Sequence, residues 1–246
     1  MRWMLILVTA VALAGCAPGA DLAPAPAPVP QAPASPDAPV LPAAEAARAF
    51  VEVMTRVEPM AEAACRDLAR AGTNCAFDIR VDPRPEMEPN AFQTVDETGR
   101  PLVIFTLSLI ADARNADELA FVLGHEAAHH ILGHIPRRQE TAARGAMLGA
   151  VYGTVTGADE ATMKQLQEMG AQLGARRYSK SFELEADALG AEIAWRAGFD
   201  PVRGTGFFDR LPDPGDAFLG SHPPNGQRRA QVAAVVARLS QLSAAQ

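Results

Sequence analysis

Cysteine is scarce in this chain of 246 residues, with only Cys16, Cys65 and Cys75 present. None lies in a C-x-x-C pair or beside a histidine, which argues against a thiolate-based metal site, and three cysteines allow no more than one internal bridge. Basic charge is also in deficit, with 22 Lys and Arg against 29 Asp and Glu and a formal net charge of −7. An acidic body repels phosphate backbones, so nucleic acid is excluded as a partner, and there is no basic patch for anionic headgroups. Long apolar runs are missing too. Trp3 to Ala14 and Gly145 to Gly157 both fall short of the roughly 20 residues that cross a bilayer. Histidine occurs five times, and four of the five stand between His125 and His134.

That window contains His125-Glu126-Ala127-Ala128-His129, the H-E-x-x-H pattern of zinc peptidases. Residues four apart share one helix face about a turn apart, so both imidazoles can grip one metal ion. Glu126, one step round, reaches a water at that metal without being a ligand. The context supports a helix. Asn115-Ala116-Asp117-Glu118 has the form of a capping box, and Leu119, Phe121, Val122, Leu123, Ala127, Ala128 and Ile131 leave few exposed positions. A helix buried on most sides holds His and Glu only if they are paired or metal-bound. His130 and His134 lie off the shared face and read as packing residues or as supports for the ligands.

A catalytic zinc site takes three protein ligands and leaves a fourth position open. The acidic candidates lie in Ser179–Gly190, where Glu183 and Asp187 are four apart on one face and Glu185 points away. Glu183 is expected to bind the metal, and Asp187 to hydrogen-bond a ligand histidine from behind and fix its tautomer. Glu185 is expected to be solvated.

H-E-x-x-H followed by Glu183-Leu184-Glu185-Ala186-Asp187 resembles the M48 family of metallopeptidases, over roughly residues 45 to 240. The resemblance implies a gluzincin-type site holding one Zn2+ per chain on His125, His129 and Glu183, with Glu126 as catalytic base. It also implies that Asn90-Ala91-Phe92 is the N-A-F segment beside the active-site helix, on a sheet edge that binds extended peptide. His222, in Ser221-His222-Pro223, would lie near the metal in the open position, with a plain loop role as the alternative. Arg228 would stabilise an oxyanion or pair with a site carboxylate. Lacking the multiple membrane spans of the prenyl-protein branch, the chain is similar to the soluble periplasmic branch. The implied function is a zinc endopeptidase for misfolded or misassembled envelope proteins. An assembly factor or chaperone acting mainly by binding such clients is the alternative.

Residues 1–15 read as a signal segment, ending in Leu13-Ala14-Gly15-Cys16, which resembles the lipobox of bacterial lipoproteins. Cys16 would then carry lipid at the periplasmic face of the outer membrane. Residues 16–44 make up the lipidated cysteine and a Pro/Ala-rich linker, extended at about 3.1 Å per residue. With Cys16 acylated, Cys65 and Cys75 remain to form a disulfide, two free thiols being the alternative.

Residues 45–246 are expected to form one α+β domain, mostly helical, with a small antiparallel sheet. Glu45–Ala71 reads as a helix kinked or split at Pro59. Residues 77–81, 91–95 and 102–106 read as strands, the last two joined by a turn at Gly99. Gly145, Gly149, Gly153 and Gly157, then Gly170 and Gly174, recur every fourth residue. They predict a helical hairpin, Gln139–Gly157 against Glu160–Tyr178, closed by glycine grooves and covering one side of the site. A contact with a membrane or a partner through the apolar Met147, Leu148, Val151, Tyr152 and Val155 is the rival, and a disordered loop is the plain alternative. Gly198 should stop the helix that bears Glu183, and Gln227–Leu242 should close the fold.

Overall fold

The computed structural model describes residues 28, 30–32, 35, 37–177, 179–211, 213 and 223–244. The signal segment, Cys16, Tyr178 and His222 lie outside the described residues. Helix α1, Ala43–Leu68, buries Ala46, Phe50, Val53, Val57, Ala61 and Ala64, the three-and-four spacing of one helical face. Pro59 sits inside this helix without splitting it. The ring costs one backbone hydrogen bond, but Val57 and Ala61 on either side are buried and hold the two halves on one axis.

Strands β1 (Asp78–Asp82), β2 (Ala91–Val95) and β3 (Pro101–Thr106) form a sheet of order β1-β3-β2. The expectation of an antiparallel sheet needs correcting in one pairing. β2 and β3 are antiparallel across the Gly99 turn, but β1 runs parallel to β3. The physical reason lies in β3 itself, where Leu102, Val103 and Phe105 are buried. The most apolar strand takes the centre, and residues 83–90 carry the chain across to the far edge. β2 is therefore an edge strand.

After the short α2 (Leu107–Asp112), helix α3 (Ala116–Ile131) begins at Asn115, whose side chain accepts the Glu118 backbone N–H. Glu118 answers one residue further back than a capping box would, accepting from Arg114 N–H, and is ion-paired to Arg210 at 2.8 Å. Buried on most sides, α3 packs against α1, the sheet and α6. It stops at Gly133, whose φ of 66° is the left-handed conformation that ends helices.

Helices α4 (His134–Thr156) and α5 (Glu160–Arg177) form the expected hairpin. A Cβ on Gly145 would overlap the Gly170 carbonyl, one on Gly149 the Leu166 carbonyl, and one on Gly174 the Thr141 carbonyl. The glycines thus let two backbones touch, which repays their cost in a helix of up to about 1 kcal/mol each. The outer face of α4 leaves Met147, Leu148, Val151, Tyr152 and Val155 exposed. No helix among the described residues is long and apolar enough to cross a membrane.

Helix α6 (Ser179–Arg196) ends at Gly198, φ 82°. A one-turn α7 (Pro201–Gly204) capped by Asp200 and a 3-10 turn (Thr205–Arg210) lead on to α8 (Asn225–Ala244).

Cys65 and Cys75 are bonded, with Cα atoms 5.6 Å apart, tying the end of α1 to the segment before β1. Replacing both with serine is expected to cost roughly 2–3 kcal/mol, the chain-entropy value for so short a loop. Urea unfolding should show a lower midpoint; an unmoved midpoint would mean that the bridge adds nothing.

Candidate metal centre

Two helices bring the site together. His125 and His129 project from α3 with their Nε2 atoms 3.0 Å apart. From α6, Glu183 places Oε2 3.7 Å from His125 Nε2 and Oε1 3.5 Å from His129 Nε2. The three donor atoms lie within 4.8 Å of one another. Tetrahedral ligands about 2.0–2.1 Å from a zinc ion are separated by roughly 3.4 Å, so these separations bracket what a zinc ion needs.

The α3–α6 distance is set by glycine. A Cβ on Gly124 would lie 2.5 Å from the Gly190 carbonyl oxygen, and one on Gly190 would lie 2.6 Å from His125 N and 2.8 Å from His125 Cα. The backbones of the two motif-bearing helices therefore touch beside the first ligand. Neither glycine was singled out from the sequence, because each stands alone outside any repeat. Their positions, one before His125 and three after Asp187, were the available signal.

Behind His125, Asp187 Oδ1 accepts from Nδ1 at 2.9 Å, which leaves Nε2 bare for a cation. Asp187 is fully buried, and Arg228 grips both its oxygens at 2.7 Å while lying over the Phe208 ring. Burial works to raise the Asp187 carboxyl, but the hydrogen bonds from Arg228 and His125 outweigh it and hold the group below its ordinary range. For His125, burial opposes the charged form, yet Asp187 and Glu183 together raise the imidazole. His129 differs. Burial, then the charge of His125, pushes it down to about 3, so it is a neutral lone-pair donor near pH 7. Arg228 takes the second of its two expected roles and pairs with a site carboxylate.

Glu126 is raised to about 7, first by burial and then by the charge of Glu183, which outweigh the lowering pull of His125 and a backbone N–H from Gln93. A carboxylate poised near neutrality beside a metal-ligand cluster suits a proton carrier. Both Glu126 and the ligand cluster open onto a cleft of about 440 Å³. Asn90, Ala91, Phe92 and Gln93 line one side, along the edge strand β2, and His134, Ile135 and Arg138 of α4 line another. The predicted N-A-F segment thus does lie at the site, and Gln93, missed in the sequence, gives it a direct link to Glu126.

Two expectations change. Glu185 is not merely solvated: it pairs with Arg137 at 2.7 Å and stands 3.4 Å from His134 Nε2. His134 does support His129, as expected, but not by the α3 periodicity, since Gly133 breaks the helix and turns its ring back to His129. His130 points elsewhere, to the Asn74 carbonyl at 2.8 Å and the Phe77 ring.

A helical domain with two histidines and a glutamate converging beside an acidic side chain defines a metallopeptidase. The pattern of Peptidase family M48 matches residues 50–236, and the chain belongs to that family. Among its relatives, the mitochondrial metalloendopeptidase OMA1 of Saccharomyces cerevisiae is 33% identical over 55% of this chain and 37% of its own length. The beta-barrel assembly-enhancing protease of Yersinia pestis is 33% identical over 45% of this chain and 24% of its own length. A protease HtpX homolog of Desulfatibacillum aliphaticivorans is 34% identical over 45% of this chain and 41% of its own length. The chain therefore spans well under half the length of each.

Proposed function

We propose that the chain is a zinc-dependent endopeptidase acting on unfolded or misassembled envelope proteins at the periplasmic face of the outer membrane, held there by lipid on Cys16. The observation that carries the peptidase reading is the meeting of His125, His129 and Glu183 in a cleft that also exposes Glu126. His125, His129 and Glu183 would hold the ion. When bound, it polarises a peptide carbonyl and makes water acidic enough to attack near neutral pH.

The protein's own groups do the rest. Glu126 takes a proton from the attacking water and delivers it to the leaving amine. Asp187 and Arg228 keep the His125 ring in one tautomer and one orientation. β2, an edge strand among the described residues that lines the cleft, would offer backbone pairing to an extended peptide beside the Gln93 N–H that Glu126 takes, and such pairing tolerates many sequences. Envelope substrates are supported by the beta-barrel assembly-enhancing proteases among the relatives, and the anchor by the Leu13–Cys16 pattern.

Purified protein is expected to cleave an unfolded protein such as reduced casein, to lose that activity to a chelator and to regain it with one equivalent of zinc. Cleavage that persists after metal removal would refute the reading.

A further inference from the structure

The two ligand histidines are supported differently. His125 rests directly on a carboxylate held by an arginine. His129 instead faces another histidine, its Nδ1 lying 2.8 Å from His134 Nδ1. Beyond His134, Nε2 is 3.4 Å from Glu185 Oε2, and Glu185 is held by Arg137 at 2.7 Å. The second ligand thus also ends on a carboxylate–arginine pair, reached through one extra imidazole. His134 is buried at 4% exposure, and its ring stacks on Phe182 at 4.7 Å and 11°. Arg137 lies over that same phenyl ring at 4.3 Å.

Only one hydrogen fits between two ring nitrogens 2.8 Å apart. For His129 Nε2 to carry a free lone pair toward His125 and Glu183, that hydrogen must sit on His129 Nδ1. His134 Nδ1 is then the acceptor, and its own hydrogen sits on Nε2, facing Glu185. Each group in the row has one consistent role: His129 donates to His134, His134 donates to Glu185, and Arg137 donates to Glu185. A carboxylate in His134's place would add negative charge to the site; a neutral imidazole fixes the tautomer without it.

We propose that His134 is a positioning residue of the metal site, a neutral acceptor that sets the tautomer and ring angle of His129 and is itself oriented by Glu185 and Arg137. The inference rests on the metal reading given above. It also ties the site to the hairpin, because His134 is the first residue of α4 and its place depends on how that helix is seated.

Zinc affinity separates this role from simple packing. Phe at 134 keeps the flat ring that stacks on Phe182 but has no acceptor. Asn loses the stack but keeps an acceptor where Nδ1 was. By chelator competition, His134→Phe is expected to bind zinc about 10–100-fold more weakly than wild type, and His134→Asn to recover most of the loss. Wild-type affinity in His134→Phe, or weaker binding in His134→Asn than in His134→Phe, would overturn the proposal in favour of packing. Should His134→Phe not fold, as judged by circular dichroism, Glu185→Leu removes the acceptor of the next bond. A few-fold loss there supports the relay, and unchanged affinity overturns it. If wild type itself takes up no zinc, the metal reading fails, an outcome distinct from a wild type that binds while both acceptor-lacking variants bind equally well.

Discussion

The Glu126→Gln protein is expected to take up zinc as wild type does, yet to lose about 10²–10⁴-fold in kcat/KM toward an unfolded substrate. Glutamine preserves the shape of the side chain but cannot accept the proton. The same substitution should make the metal-free protein more stable at alkaline pH. The Glu126 carboxyl, ordinarily near 4.5, is raised to about 7, mainly because burial disfavours its charge. A folded-state value above the unfolded one means that the fold is penalised for ionising this group. The penalty begins as pH rises past roughly 4.3 and is complete above about 7. Glutamine carries no such penalty. In chelator, Glu126→Gln should therefore outlast wild type at pH 8 by about 1–3 kcal/mol and match it at pH 4, the upper figure being reduced because the side chain is partly open to the cleft. Equal thermal midpoints at both pH values would show that the carboxylate is not strained, and retained cleavage would remove it from the mechanism.

Gly190→Ala is expected to be nearly as damaging although it adds one methyl and touches no ligand side chain. The new Cβ would lie 2.6 Å from His125 N and 2.8 Å from His125 Cα, both backbone atoms of a buried helix that cannot rotate out of the way. α3 and α6 must separate. Overpacking of this kind costs about 1–3 kcal/mol, and moving Glu183 relative to the imidazoles by a fraction of an ångström to an ångström costs on the order of 100-fold in rate. Gly226→Ala is the control, because a Cβ there meets nothing within 4 Å. Loss of stability and activity in Gly190→Ala, with neither lost in Gly226→Ala, is the predicted pattern. Wild-type behaviour in Gly190→Ala would mean that the helix contact does not set the site.

What was legible in the sequence follows from local periodicity. The i, i+4 spacing of His125 with His129, and of Glu183 with Asp187, is a property of one helix and survives whatever the helices do next. So is the four-residue glycine interval of the α4–α5 hairpin: the structure seats Gly145, Gly149, Gly170 and Gly174 backbone to backbone, while Gly153 faces the Met163 side chain and Gly157, φ 69°, ends α4. Relations between distant elements were less legible. Strand alternation marks β1, β2 and β3 but says nothing about their order, so the parallel β1–β3 pairing was not foreseen. Gly124 and Gly190 matter only through each other, across two helices. The α3 helical wheel sets His134 off the ligand face, yet Gly133 ends that wheel one residue before it. The α6 periodicity alone points Glu185 away from Glu183 and toward solvent, but the start of α4 comes to meet it there.

Anomalous diffraction at the zinc absorption edge, on crystals of the zinc-loaded protein, addresses the central claim most directly. A single peak bonded to His125 Nε2, His129 Nε2 and a Glu183 carboxylate oxygen, at about 2.0–2.2 Å from each, is the expected result. A peak located elsewhere, or one that lacks Glu183 among its ligands, would contradict the account.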